Sequence, residues 1–385
     1  MSNTLTGLIP TIYTAMDMVS RELIGFIPNV QRDAKAESAA LNQTVRSHVV
    51  PAVSLENITP GATPADSGDH TLSYVDVTIS NSKGYPIRWT GEEQKSVSQF
   101  GQYNTILADQ FAQGFRSLAN AVETDIGLLY KSAARAYGTA GTAPFGTAAD
   151  LSDLAQINKI LDDNGAPPTD RIIIVDSTAR ANLEGKHSEL FKVNESGDAG
   201  ALLRQRQMRM LQGFTMGYSA GVAAHTKGTG TSYQVNNASN YAAGSTTIAV
   251  DTGTGTIVAG DILTNTQAGV DSNKYVVGTA LSAGSLAINA PGTLKAWSDN
   301  DTVAVGNSYR ANLAFTKNAI LLAARLPAMP EGGDNADDVM TITDPVSGLT
   351  FQIALYRQYR RIKIEIGLAW GVKAIKSEHM AILLG

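Results

Sequence analysis

The sequence predicts an α+β fold that carries an inserted all-β domain, and three observations lead there. First, Tyr103, Leu107, Phe111, Phe115, Leu118, Val122, Ile126, Leu129, Ala133 and Tyr137 recur at steps of three or four. That spacing puts one apolar face along a helix of about ten turns, a rod of roughly 50 Å at 1.5 Å per residue. Second, Val75, Val77 and Ile79 alternate with Asp76 and Thr78, which is the period of a strand. Asn81-Ser-Lys-Gly84 is turn chemistry and Pro86 to Thr90 reads as a return strand, so 72–90 is expected to form a β-hairpin. Third, Gly, Thr, Ser and Asn dominate from Thr226 to about Tyr309, and helical periodicity vanishes. Short β-type runs replace it at Thr246–Val250, Asp261–Leu263, Tyr275–Val277, Leu286–Ile288 and Thr302–Val305, as in a small sandwich or barrel.

The remaining elements follow in order. Ile12 to Leu23 has helical spacing, with Met16, Val19 and Leu23 on one side, and Gly25-Phe-Ile-Pro28 breaks it. Pro51, Pro60 and Pro64 keep the stretch from Val49 to Pro64 extended or looped. After a Gly/Thr/Ala loop, Leu151, Leu154, Ile157, Ile160 and Leu161 form a second amphipathic face, ended by Gly165-Ala-Pro-Pro168. Ile172-Ile-Ile-Val175 is a short buried strand, with Asp176 or Ser177 as the N-cap of a helix from Thr178 to Leu183. A further helix is expected from Leu202 to Leu211. Leu313 to Leu326 resumes helical or buried character. Thr350–Tyr356 and Ile362–Leu368 read as strands around Arg357-Gln-Tyr-Arg-Arg361, with Val372–Ile375 and Met380–Leu384 closing the same sheet.

Composition bounds the function. Of 385 residues, 43% are apolar, enough for a sizeable core, while only 17% are charged, below the roughly 25% usual for soluble proteins. Less charge leaves less surface that must stay wet, which suits extensive subunit contact. The net charge of −5, from 30 basic and 35 acidic residues, advertises no polyanion partner. Cysteine is absent, which removes disulfides, thiolate metal sites and cysteine nucleophiles together. The N-terminus has no basic region followed by a long apolar run, and no segment approaches eighteen consecutive apolar residues, so neither a signal peptide nor a membrane span is expected.

Candidate chemistry is sparse. Gly217-Tyr-Ser219-Ala-Gly221 fits the nucleophile-elbow pattern of serine hydrolases, which needs a strand before the serine and a helix behind it. Here Val222 to Gly228 run into a Gly/Thr segment instead, His225 lies too close in sequence, and His379 is the alternative base. Gly228-Thr-Gly230 and Gly253-Thr-Gly255 lack the Lys-Ser/Thr ending of a phosphate loop and read as turns. The histidines at 48, 70, 187, 225 and 379 include no pair at ligand spacing, so no metal and no cofactor are expected. The acidic run Glu331 to Asp338 misses the calcium-loop spacing and reads as a solvated loop. Two basic groups remain: Arg204, Arg206 and Arg209, and Arg357, Arg360, Arg361 and Lys363 with Tyr356 and Tyr359. Basic residues among aromatics can grip nucleic acid, but with an acidic chain the plainer reading is a solvated face or ion pairs to a neighbouring subunit.

Taken in order, these elements resemble the major coat proteins of tailed bacteriophages, in the subset with an inserted β-domain. Asn29-Val-Gln-Arg-Asp33 looks like the end of that family's amino-terminal arm, 72–90 its extended loop and 103–137 its spine helix. Met210–Phe214 through His225–Gly228 resembles the segment entering the insertion, and Asn312–Ile320 the segment leaving it. Tyr356-Arg-Gln-Tyr359 and Trp370-Gly-Val-Lys373 resemble the closing strands. The resemblance implies an arm and lead over 1–70, an extended hairpin loop over 71–100, and the spine helix with the first part of an axial domain over 101–225. An inserted β-domain over 226–310 and a return to the axial and peripheral domains over 311–385 would follow.

What this implies is a structural, non-enzymatic shell subunit, assembled in the bacterial host cytoplasm and located in the virion capsid. Its partners would be identical subunits in pentamers and hexamers, a scaffolding protein, a portal, a decoration protein and non-specifically contacted packaged DNA. Lys83, Arg88, Trp89, Glu92, Glu93, Arg357, Arg360 and Arg361 are the expected subunit-interface residues. Gly114 and Gly127 are expected to let the long helix bend, since each weakens a helix interior by about 1 kcal/mol relative to alanine. The alternatives are a serine hydrolase using Ser219, or a fibre- or adhesin-type interaction protein suggested by the Gly/Thr-rich insert.

Overall fold

The computed structural model describes residues 9–23, 25–49, 60, 73–98, 103–187, 210–267 and 269–385. Most of the Val49–Pro64 stretch, His70, and Arg204, Arg206 and Arg209 with the helix expected around them lie outside the described residues. Met210–Leu211, at the end of that expected helix, is instead a short strand, β7.

A six-stranded mixed sheet is built around the 14-residue strand β20 (Arg361–Ala374). Along one side of β20 run β19 (Thr350–Gln358) and β17 (Ile320–Pro327); β18 (Asp338–Thr343) extends from β19, and β1 (Gln31–Ala39) pairs parallel with β17. The other side of β20 pairs with β4 (Asn81–Thr90), from Arg361 opposite Thr90 to Trp370 opposite Asn81. Helix α1 (Ile9–Leu23) packs on helix α3 (Tyr103–Gly127), and α3 packs on β20 and β4. Phe111, Phe115, Leu118, Val122 and Ile126 of α3 share one core with Ile364, Ile366 and Trp370 of β20. Helix α2 (Gly91–Ser98) joins β4 to the start of this layer.

The hairpin expected over 72–90 does not form. β3 (Ser73–Thr78) pairs antiparallel with β2 (Thr44–Val49) in a separate two-stranded ribbon, and β4 belongs to the large sheet. The turn-forming residues Asn81–Gly84 lie in a ladder because β20 offers a long edge that outweighs local turn preference. Asn81 serves there as a tertiary donor: its amide reaches Asp125 at 2.9 Å, and Asp125 also accepts the Trp370 indole at 2.7 Å.

The long helix is also shorter than its stripe. It spans 25 residues, about 37 Å at 1.5 Å per residue, and tightens into a 3-10 turn over Leu128–Ser132 before β5 (Arg135–Tyr137). The reason is contact: a Cβ on Gly127 would sit 2.2 Å from the Gly221 carbonyl oxygen, so another backbone crosses the helix end there. Leu129, Ala133 and Tyr137 keep the apolar spacing but belong to other elements.

A second sheet of thirteen strands contains β5, β6 (Arg171–Val175), β7, β8 (Phe214–Tyr218), β9 (Ala224–His225), β16 (Tyr309–Thr316) and β21 (Met380–Leu384). Strand alternation divides its central residues between two cores. Leu313, Phe315, Ile172, Ile174, Ile382 and Leu384 face the core shared with α3. Ala314, Ile173, Val175, Ala381 and Leu383 face α4 (Ser152–Asp163) and α5 (Ser177–Lys186), whose cap is Asp176, accepting from Ala179 N at 2.9 Å. Leu313 to Leu326 is therefore not helical but two buried strands, β16 and β17. Met380–Leu384 joins this second sheet and not the sheet of β20.

The Gly/Thr-rich stretch supplies the other six strands. These are β10 (Tyr233–Val235), β11 (Thr247–Asp251), β12 (Ile262–Asn265), β13 (Lys274–Ser282), β14 (Ser285–Ile288) and β15 (Thr302–Val305). They pair antiparallel in the order β12-β15-β10-β11-β14-β13, and β13 returns to β12, which closes a small barrel. Val235, Ile248, Val250, Leu263, Tyr275, Val277 and Trp297 fill it. Closure removes the edges that short strands would otherwise expose. Lys274 and Tyr275 of β13 also pair with β5, which ties the barrel to the second sheet.

Candidate subunit-interface site

A groove of about 930 Å³ opens where β4 passes into α2, opposite the β19–β20 hairpin. Gln358 pairs with Arg361, so the hairpin turns through Tyr359 and Arg360 alone, with Arg360 at φ +55°. So tight a turn pushes its side chains outward, and Tyr359 is 89% exposed. The Gly91 N–H donates to the Arg360 carbonyl at 3.0 Å, which ties the helix start to the hairpin tip. Thr90 and Glu93 form a reciprocal cap: Glu93 accepts the Thr90 N–H at 2.8 Å, and the Thr90 hydroxyl accepts the Glu93 N–H at 3.3 Å. Those bonds hold the Glu93 carboxyl below the usual glutamate range.

Trp89 forms the apolar wall. Its indole N–H donates to Gln110 at 2.8 Å and its ring meets Tyr103 edge-on at 5.3 Å, so α3 fixes its position. On the opposite side, Arg357 pairs with Asp337 at 2.7 Å, and the Arg361 Nε donates to Gln358 at 2.5 Å. Tyr356 beside them donates to Asp334 at 2.6 Å, and burial with that carboxylate pushes its hydroxyl up to about 12.

Of the eight residues expected at a subunit interface, Trp89, Glu92, Arg357, Arg360 and Arg361 line this one groove. Glu93 does not, because it is committed to the helix cap. Arg88 is exposed on β4 outside the groove. Lys83 lies toward the other end of β4, about 20 Å away at strand rise, with its ammonium 5.4 Å from the Trp370 ring centre. Tyr359 and Ile362 also line the groove, beside Thr90, Gly91, Gln94 and Gln358, and none of these six was among the expected interface residues. The signal for Tyr359 was its place in the basic run Arg357-Gln-Tyr-Arg-Arg361.

The elbow pattern is not built as an elbow. Ser219 follows β8, but no helix follows it, and its hydroxyl donates to Glu123 at 2.5 Å in the buried interior. His225 is engaged elsewhere, with Tyr130 on Nδ1 and Asp261 on Nε2, each at 2.8 Å. His379 meets Thr316 at 3.5 Å. Among the described residues, no group of three or more His, Cys, Asp or Glu side chains is placed to hold a metal ion. No helix among them is long and apolar enough to cross a membrane.

No family model matches the chain, and no curated protein matches it. Solved structures do. The chain is similar to phage capsid proteins. A capsid chain of the cyanophage P-SCSP1u aligns over 94% of this chain and 88% of its own length, at 10% identity and a TM-score of 0.48. A chain from the mature capsid of bacteriophage PhiM1 aligns over 94% and 87%, at 12% identity and a TM-score of 0.45. A virus-like particle from Pyrococcus furiosus aligns over 97% and 98%, at 8% identity and a TM-score of 0.40.

Proposed function

We propose that the chain is a structural subunit of an icosahedral phage head, self-assembling into pentamers and hexamers that enclose double-stranded DNA. One observation carries the reading: the ribbon of β2 and β3 has no third strand among the described residues. Its near end is anchored by Val77 and Ile79 on the sheet of β17 and β20. Its far half carries His48 and Tyr74, both exposed, with Tyr74 at 53%. A two-stranded ribbon is marginal by itself in water, so this far half calls for a surface supplied by another molecule. A neighbouring copy fits, because a ribbon adds to its neighbour at variable angles, as a curved shell requires.

In this reading β2 and β3 form the extended loop, in place of 72–90, and α3 is the spine helix on a peripheral sheet. The second sheet with α4 and α5 is the axial domain, and the barrel is the insertion. The groove at Trp89 and Tyr359 is a second contact between copies. A scaffolding protein, a portal and a decoration protein are the remaining partners, with packaged DNA touched non-specifically. Neither the hydrolase nor the adhesin reading gains a supporting contact.

Negative-stain microscopy of the purified protein, alone and co-expressed with its scaffold, tests the proposal. Closed particles tens of nanometres across are expected. A stable monomer by size-exclusion chromatography under both conditions would sink it.

A further inference from the structure

A smaller pocket, of about 350 Å³, lies where β5, α4 and β13 meet, at the junction of the second sheet and the barrel. Arg135, Lys159 and Lys274 line it, and no carboxylate does. Thr139, Ser272 and Gln156 add neutral polar groups to the wall.

Arg135 is a built element of this wall and not a surface side chain: it is 1% exposed. Its terminal nitrogens are held by the Ile160 carbonyl, Asp163, Asn164 and Asn273 at 3.1 to 3.4 Å, which fixes the guanidinium. Its Nε, closed off from solvent, has no hydrogen-bond partner among the described residues. Lys274 donates to the Gly138 carbonyl and has no ion-pair partner among the described residues. Burial pulls its ammonium below the usual lysine range, as expected of a cation short of counter-charge. Lys159 pairs with Asp163 at 3.0 Å, and Asp163 also pairs with Arg135. One carboxylate thus serves two of the three cations. Asp271, the other acid close by, accepts from Tyr275, Trp297 and Asn273 and does not line the pocket.

We infer that this pocket binds a small oxyanion of the phosphate class, with Lys274 and Lys159 pairing its charge and Arg135 fixing the wall they stand on. Guanidinium and ammonium donors match phosphoryl oxygens in charge and geometry. At about 350 Å³ the pocket has room for a phosphoryl group and for a substituent on it.

The test is calorimetric titration of the intact protein with inorganic phosphate, run against sodium chloride at matched ionic strength, for the wild type and for Lys274→Met, Lys159→Met and a remote control, Lys95→Met. Saturable binding is expected in the wild type and the control. Each pocket variant should weaken it about tenfold or more, the equivalent of about 1.4 kcal/mol. Lys159 is exposed at the rim, so its variant keeps the test valid if Lys274→Met folds poorly. Binding that is absent, matched by chloride, or unchanged in both pocket variants overturns the inference. A short DNA duplex added in competition separates the sources: displacement of phosphate means a backbone phosphate occupies the pocket, and no displacement means the free ion does.

Discussion

Ser219 hands its hydroxyl hydrogen bond to Glu123, Oγ to Oε2 at 2.5 Å, with both residues buried. The same carboxylate accepts the backbone N–H groups of Phe26 at 2.9 and 3.0 Å and of Ile27 at 2.8 Å. Two segments distant in sequence therefore converge on one side chain of α3. The glycines around Ser219 serve this convergence: a Cβ on Gly221 would lie 2.9 Å from the Glu123 carbonyl carbon. The Gly-x-Ser-x-Gly spacing is a record of close packing, not of a nucleophile. Ser219→Ala should cost about 1.5 to 3 kcal/mol, the range for a hydrogen bond to a charged group, in chemical denaturation. A fluorophosphonate probe should leave the native wild type unlabelled, and labelling lost in the variant would restore the hydrolase reading.

The same carboxylate sets a pH dependence. Burial pushes the Glu123 carboxyl above the ordinary glutamate range, against the downward pull of Ser219, Ile27 and Phe26. A raised native value means that the folded state holds a proton the unfolded state has already lost. The contribution to stability is then full below the ordinary glutamate value of about 4.3 and declines as pH rises through the raised native value. Melting curves of the wild type and Glu123→Gln across that window should diverge, with the wild type falling more steeply. Parallel curves would show that Glu123 does not titrate there.

Gly114 is a packing residue. A Cβ there would meet the Tyr85 ring at 2.7 Å and the Ile366 Cδ1 at 2.9 Å, so the glycine lets α3 lie close on β4 and β20. Alanine gains about 1 kcal/mol of helix preference but overpacks the contact by about 1 to 3 kcal/mol. Gly114→Ala should therefore lower stability on balance, and adding Ile366→Val should recover part of the loss. A stabilised single variant would favour the bending role instead.

These contacts show what the sequence made legible. Period and composition located α1, α4, β6, five of the six barrel strands (all but β10) and the β19–β20 hairpin, because each is decided by burial along its own length. Pairing was another matter. Whether 81–84 turns or continues depends on the β20 edge, some 280 residues later, and no local pattern reports that. The end of α3 at Gly127 likewise depends on Gly221 crossing it. At the groove, the basic-aromatic cluster at 356–361 was visible in the sequence. Its meeting with Trp89 and Glu92 needed the ladder between β4 and β20.

The two acids at the start of α2 should behave differently. Glu93 closes the helix cap with Thr90, whereas Glu92 lines the groove. Glu92→Lys should leave melting of the isolated subunit nearly unchanged and reduce particle yield. Glu93→Lys should lower the melting temperature by itself, and Thr90→Ala should cost about 1 kcal/mol through the same cap. Equal particle yields for Glu92→Lys and the wild type would remove the groove from the set of contacts between copies.

His225 joins the barrel to the rest of the chain. Asp261 accepts from Nε2 at 2.8 Å and also from the N–H groups of Gly228 at 3.0 Å and Val258 at 2.7 Å, while Tyr130 meets Nδ1 at 2.8 Å. Each ring nitrogen of His225 thus has its own partner, Asp261 on Nε2 and Tyr130 on Nδ1. Burial and the Asp261 charge push the Tyr130 hydroxyl up to about 12, which keeps it protonated across the physiological range. Tyr130→Phe leaves a buried ring nitrogen unpaired and should cost about 1 to 3 kcal/mol. Asp261→Asn weakens the other end of the relay. If the relay acts as a unit, the double variant should lose less than the sum of the singles by more than about 0.5 kcal/mol in a denaturation cycle. Additive losses would mean that Tyr130 and Asp261 hold His225 independently.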